Sequence, residues 1–351
     1  MSNRYPFPIP FGWFQVGYPD DVPPGGVRPL YYFGRDLVLW RDEHGDAHLQ
    51  DAFCPHLGAH LGHGGKVEDC QLVCPFHGWK FDVEGANCDI PYSDRTNRSA
   101  TLRTYPVVER NGLILAWYHP HEEDPKWEVP VIPEFAGDTE MAPISTRDYI
   151  IAASWQEMAE NSVDSAHFRY VHNTETVPEI EDYQADGYQA SMRSAQRFPT
   201  PRGTVDGRID VDNYGPGFGL TRFSGIVDTF LIGCNTPIDE ETCHLRFTFT
   251  VRKLGDAETT STVGEAFVHE VDRQVTEDIP IWENKAHLVR PALASNDGPY
   301  MKFRKWAAQF YADDLGDERT VFPPPPPDHP QPEPEGVLKG TASARLSEAP
   351  A

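Results

Sequence analysis

Between Cys54 and His77 the chain reads CPHLGAHLGHGGKVEDCQLVCPFH, a Cys-x-His pair followed by a Cys-x-x-His pair. Two thiolates and two imidazoles on two short loops suit a [2Fe–2S] cluster. Thiolates favour iron, and imidazoles can replace two of them on one of the irons. Cys54 and Cys74 would then hold one iron, His56 and His77 the other. Zinc is the competing occupant, since two Cys and two His also make a tetrahedral structural site. Against zinc stands the spacing: its ligand pairs are commonly separated by roughly two to four residues, whereas only Pro55 lies between Cys54 and His56. Gly58, Gly62, Gly64 and Gly65 add the backbone freedom that a cluster loop needs.

A second group with metal-binding chemistry lies in IAASWQEMAENSVDSAHFRYVH, from Ile151 to His172, a stretch free of Gly and Pro that predicts a helix. It carries Asp164, His167 and His172. Two imidazoles and one carboxylate on one face of a metal leave the opposite positions open for dioxygen and substrate, as in non-haem Fe(II) oxygenases. The histidines are five positions apart, which places them about 140° apart around an ideal helix. A shared metal therefore requires the helix to be distorted or to end between them. The plain alternative is two helical histidines satisfied by backbone or solvent. A third, carboxylate ligand is sought in the late segment VTEDIPIWENK, which offers Glu277 and Asp278. Acidic residues also favour the first turn of a helix without any metal.

The elements that must position these groups divide the chain. Residues 1–122 alternate short apolar runs with turns: Leu30 to Phe33, Asp36 to Trp40, Ala47 to Asp51, Trp79 to Val83 and Leu113 to Tyr118 predict a small all-β domain with Trp79, Phe81 and Trp117 in its core. Packing is the first reading of Trp79, shielding of the cluster the second. A polar, proline-rich linker separates it from a domain over 123–320. There Leu245, Phe247, Phe249 and Val251 alternate with Arg246, Thr248, Thr250 and Arg252, the period of a half-buried antiparallel strand. Tyr188 to Arg197, Val205 to Val211, Gly219 to Ile232 and Thr260 to Glu270 are further strand candidates. Helices are expected at Val275 to Leu288 and Pro299 to Tyr311. The fold class is α+β, with a large antiparallel sheet flanked by helices. Residues 321–351, rich in proline, are expected to be a disordered or surface-laid tail.

The spacing and sequence of the Cys54–His77 stretch resemble Rieske iron–sulfur proteins. Ala59 and Phe76 stand where respiratory Rieske proteins carry a disulfide, so the resemblance is to the oxygenase and ferredoxin branch. Glu160-Asn161-x-x-Asp164-x-x-His167-x4-His172 is similar to the mononuclear iron motif of Rieske non-haem iron oxygenases. That resemblance implies His167 and His172 as ligands of a mononuclear Fe(II), favours Asp278 as the third, and places Asn161 and Asp164 in the catalytic machinery. It also implies a homotrimer in which Asp164 links His77 of one chain to His167 of the next. The segments CPHLGAHLGHGG, CPFHGWKFDVEGANCDIPYSD, NGLILAWYHP and RPALASNDGPYMKFRKWAAQFY resemble the steroid-directed branch, which includes the 3-ketosteroid 9α-hydroxylase oxygenase components and the cholesterol 7-desaturases. Expected partners are an NAD(P)H-dependent ferredoxin-reductase-type electron donor, dioxygen and a steroid or other apolar small molecule.

Composition limits the remaining classes. A formal charge of -24 over 351 residues opposes nucleic-acid and anionic-membrane binding. No stretch approaches the roughly 20 apolar residues of a membrane span, and MSNRYPFPIPFGW lacks the features of a signal peptide, so a cytoplasmic protein is expected. Cys70, Cys88, Cys234 and Cys243 are expected as free thiols. Three functions are compatible: steroid or sterol hydroxylation, with desaturation on the same site as its variant; oxygenation of an aromatic or other apolar molecule; and electron carriage. A carrier needs no second metal and far fewer residues, so the second domain argues against it.

Overall fold

Asn111 and Gly112 both take positive φ, 58° and 76°, the conformation that a two-residue hairpin turn needs and that Asn-Gly adopts at little cost. They join Val107–Arg110 to Leu113–Tyr118, which pairs with Gly12–Gly17 in a three-stranded sheet. A computed structural model describes residues 4–313 apart from 201, 202 and 226; the proline-rich tail lies outside the described residues. Within them the chain forms two compact units, one of Phe11–Asp138 with Thr236–Asp239, the other of the remaining described residues.

The first unit is all β. Beside the three-stranded sheet stand two four-stranded sheets: Val27–Tyr32, Arg35–Arg41, Ala47–Asp51 and Thr104–Tyr105; and Lys66–Glu68, Gln71–Val73, Lys80–Phe81 and Asn87–Asp89. Trp40, Leu61, Leu72, Trp79 and Phe81 form a core that includes Cys54 and Cys74. Trp117 is buried as well.

The second unit is built on a seven-stranded antiparallel sheet, in spatial order Met141–Ile151, Cys243–Arg252, Thr229–Pro237, Gly219–Ser224, Gly203–Tyr214, Gln189–Thr200 and Glu179–Asp186. Phe249 and Leu231 on the sheet pack against Val268 of a long helix, Ala257–Trp282. Residues 4–10 belong to this unit, where the Tyr5 hydroxyl donates to the Trp282 carbonyl at 3.1 Å. The fold class is α+β, mostly sheet. No helix among the described residues is long and apolar enough to cross a membrane.

Several expected elements differ. Thr260 to Glu270 is not a strand but the first half of the long helix. Its β-branched residues favour strands locally, yet Thr260, Gly264, Val268, Val275, Asp278 and Trp282 recur at helical intervals and are the buried ones. Asp256 caps the helix by accepting the Thr259 N–H at 2.7 Å. The helix closes at Trp282, short of Leu288, and the last helix spans Tyr300–Ala307 with a 3-10 turn to Phe310. Gly219 to Ile232 is two strands, since Gly225 at φ +122° turns the chain between them. Met141–Ile151 and Glu179–Asp186, not anticipated, are the two edge strands, where partial exposure blurs the alternation that marks inner strands.

The stretch expected as one helix from Ile151 to His172 is three short pieces. Ile151 ends a strand; Trp155–Ala159 is α-helical, Glu160–Val163 is 3-10, and Ala166–Tyr170 is α-helical again. Asp164 breaks the run with extended backbone, φ -95° and ψ 106°. Its Oδ1 accepts the His167 N–H at 3.2 Å, satisfying one of the otherwise orphaned donors that open the next helix. That helix ends at Tyr170, between the two histidines, as a shared metal requires.

Candidate metal centres

The two loops of the first unit are built alike. In each, Cys is followed by Pro and, four residues on, by Gly at positive φ: Gly58 at 75° and Gly78 at 71°. The Gly58 N–H donates to the Cys54 carbonyl at 2.9 Å and the Gly78 N–H to the Cys74 carbonyl at 3.1 Å. Each Cys N–H in turn donates to the carbonyl five residues on, Ala59 at 2.9 Å and Trp79 at 2.8 Å. These paired turns bring all four expected residues together. Cys54 and Cys74 are buried, at 2% and 3% exposure; His56 and His77 are half-buried, with ring centroids 4.6 Å apart. Trp79 does more than fill the core: its ring stacks on His56 at 4.4 Å and 7°.

The donor set fits an iron–sulfur cluster. Burial pushes the Cys54 thiol up to about 11, and the adjacent Cys74 adds to the effect. Paired thiolates in such a place are stable only against a cation, which a cluster held by these residues would supply. All six cysteines are free, so no disulfide spans the loops.

In the second unit, ligand-capable atoms of His167, His172 and Asp278 lie within 4.8 Å of one another. Both ring nitrogens of His167 are buried without a hydrogen-bond partner, a costly arrangement unless something else takes a lone pair. His172 Nε2 stands 3.4 Å from Asp278 Oδ1, and Nδ1 stands 3.0 Å from Glu277 Oε2. A neutral imidazole has one N–H, so one of these carboxylates faces a lone pair; a cation held between Nε2 and Asp278 removes the conflict. The residues therefore fit a mononuclear metal with two imidazoles and one carboxylate. Asn161 Nδ2 donates to Asp278 Oδ2 at 3.4 Å. Asp164 Oδ1 lies 3.6 Å from His167 Nδ1. Burial works against the Asp164 charge, but the neighbouring His167 and the Tyr300 hydroxyl outweigh it and hold the carboxyl below its usual range.

An apolar cavity of about 250 Å³ lies beside this group. Met158, Met192, Val211, Phe218 and Phe247 line it, as do Asn161, Asp164 and Phe168 of the broken helical stretch. The Phe168 ring centroid is 4.5 Å from that of His167 and 5.5 Å from that of His172, so the cavity wall touches the histidine pair. Phe168 is in the lining, whereas its neighbours Tyr170 and Val171 are not, and Tyr170 is 80% exposed.

A further buried cluster carries no motif in the sequence. Glu157 lies 2.6 Å from Lys285 Nζ and 2.5 Å from His287 Nδ1, and Glu160 meets Arg304 Nε at 2.6 Å. Although Glu157, Glu160 and His287 are close enough to hold a metal, cationic side chains already balance both carboxylates. Only the apolar setting of Glu157 and Glu160, flanked by Trp155, Met158 and Val163, hinted at buried charge.

Comparison with known proteins supplies the family. Residues 12–106 match the Rieske [2Fe-2S] domain family and residues 116–311 the 3-ketosteroid 9α-hydroxylase C-terminal domain family. An oxygenase component of 3-ketosteroid-9-alpha-monooxygenase from Rhodococcus rhodochrous is 31% identical over 86% of this chain and 84% of its own. Cholesterol 7-desaturase nvd from Xenopus laevis is 27% identical over 89% and 74%. Among solved structures, dicamba monooxygenase bound to 3,6-dichlorosalicylic acid superposes with a TM-score of 0.68 at 20% identity, covering 85% of this chain and 96% of that one; at that identity the likeness speaks for the fold. Matches on both halves of the chain make it a member of the Rieske non-haem iron oxygenases, with a catalytic domain of the 3-ketosteroid 9α-hydroxylase family.

Proposed function

We propose that the protein is a terminal oxygenase that hydroxylates a steroid or sterol, fed with electrons by a separate NAD(P)H-dependent reductase. The observation that carries this reading is the apolar cavity against the His167–His172–Asp278 group, in a domain whose family is named for a steroid hydroxylase. Relatives described as the oxygenase component of their systems support a separate reductase. When bound, a cluster at Cys54, His56, Cys74 and His77 stores single electrons, and an iron at His167, His172 and Asp278 activates dioxygen. The chain's own residues do the rest. Met192, Val211, Phe218 and Phe247 strip water from an apolar substrate in a cavity whose wall meets the histidine pair at Phe168. Asn161 holds Asp278 in place from within the same cavity wall.

Asp164, ionised and fixed against His167, suits a bridge toward His77 of a neighbouring chain, which makes a homotrimer the working unit. The Rieske domain would end near residue 122. Reduced nicotinamide, needed by the reductase, favours a cytoplasmic setting. Desaturation on the same site is the second reading, favoured by the cholesterol 7-desaturase relative matched over 89% of the chain.

The test is aerobic turnover with a ferredoxin reductase and reduced nicotinamide, offering cholesterol, a 3-ketosteroid and a simple aromatic in parallel. A steroid product heavier by one oxygen atom supports hydroxylation; one lighter by two hydrogens makes the protein a desaturase. Oxidation of the aromatic alone refutes the steroid assignment. Sedimentation of the holoenzyme as a monomer would refute the trimer.

A further inference from the structure

We propose that Glu277 is a positioning residue for His172: it accepts the Nδ1–H of the imidazole, turns Nε2 toward Asp278 and His167, and is held in place by an Arg273–Glu270 pair. This rests on the reading of His172 and Asp278 as mononuclear iron ligands.

Two adjacent carboxylates on one helix reach the same imidazole at different nitrogens. Glu277 Oε2 is 3.0 Å from Nδ1 and Asp278 Oδ1 is 3.4 Å from Nε2. The two nitrogens point to opposite sides of the ring, so the carboxylates cannot exchange roles without rotating it. With Nε2 and Asp278 both turned to the metal, the ionised Glu277 can only accept a hydrogen bond, so the proton belongs on Nδ1 and the lone pair on Nε2. Burial separates the carboxylates too: the Asp278 side chain is 7% exposed and that of Glu277 31%.

Glu277 is not left to swing. Arg273, one turn earlier on Ala257–Trp282, hydrogen-bonds Glu277 Oε1, leaving Oε2 for the imidazole. Arg273 is itself gripped by Glu270 through two bonds, Nη2 to Oε1 at 2.6 Å and Nε to Oε2 at 3.0 Å. Gln274, in the cavity wall, donates to the same Glu270 at 2.9 Å. A two-pronged grip of this kind fixes direction as well as distance. Residues 270, 273 and 277 thus form one stripe on the helix that ends at the His172 ring. A hydrogen bond to the far nitrogen orients a ligating imidazole and raises its basicity.

The experiment uses the Rieske-loaded protein from which mononuclear iron has been removed by a mild chelator. Fe(II) is titrated back for the wild type, Glu277→Ala, Glu277→Gln, Arg273→Gln and Asp278→Ala, and the visible spectrum of the Co(II)-substituted site is recorded for each. The Rieske absorbance and melting temperature report folding. Glu277→Ala is expected to weaken Fe(II) binding roughly 10–100-fold and to shift the Co(II) bands. Glu277→Gln, which keeps an acceptor for Nδ1–H, should recover most of the affinity, and Arg273→Gln should fall between. Wild-type affinity and bands in Glu277→Ala, with binding lost in Asp278→Ala, would overturn the positioning role and leave the ligand set standing. Normal binding by Asp278→Ala, with none by either Glu277 variant, would make Glu277 the ligand and overturn both.

Discussion

Glu157→Gln should cost the second unit much of its stability and make it less sensitive to acid. Glu157 is 1% exposed, yet Lys285 and His287 meet it and hold it in its charged form. Burial acts against ionisation, but the bonds from His287 and the charge of Lys285 prevail and lower its pKa from 4.5 to about 2. A displacement of that size corresponds to about 3 kcal/mol of folding free energy, at the low end of the roughly 3–5 kcal/mol for breaking a buried pair. The sign follows from the direction. A carboxyl whose pKa is depressed by folding stabilises fully above about 4.5, and its contribution fades as pH falls toward about 2. Urea unfolding followed by tryptophan fluorescence from pH 7 to pH 3, with the Rieske band recorded separately, measures both effects. The variant should unfold at lower urea at pH 7, and its midpoint should fall less steeply with acid than that of the wild type. A loss below about 1 kcal/mol at pH 7, or an unchanged acid slope, would refute the reasoning: the pair would then be no stronger than an exposed one.

Three further outcomes follow from the metal-binding groups. Cys54→Ser or His77→Ala should abolish the Rieske visible spectrum, and full retention in either would remove that residue from the cluster. His167→Ala, His172→Ala and Asp278→Ala should each lose one iron per chain and all turnover while the Rieske spectrum persists; metal analysis beside absorbance decides it. Asp164→Asn should retain both metals but slow the delivery of an electron from the reduced cluster in a single-turnover experiment, and wild-type kinetics would exclude Asp164 from the path.

What could be read from the sequence was whatever short covalent connection settles. The Cys-x-His and Cys-x-x-His spacing, with glycines beside it, marked two short loops, and two like turns stand there. The alternation from Leu245 to Arg252 likewise marked its strand, Cys243–Arg252. Five-residue spacing of His167 and His172 called for a distortion or an end of the helix between them, because the angle around a regular helix forbids a common metal, and the helix ends there. Local signals misled where packing overrode them: Thr260 to Glu270 looks like a strand, but the face it offers the sheet repeats at helical intervals.

Tertiary structure decided the rest, because it concerns groups far apart in sequence. Asp278 follows His172 by more than a hundred residues, and only the long helix lying against the sheet brings it to Nε2 while Glu277 takes Nδ1. The cavity draws its walls from the broken helical stretch, five strands and the long helix, so its size exists nowhere in the linear order. The same holds for Glu157, whose charge is stable only where Lys285 and His287 meet it. The sequence by itself determined which donors the chain carries and the loops that pair the cysteines. Folding determined which nitrogen faces which carboxylate, because side-chain direction is set by packing between elements that share no covalent neighbour.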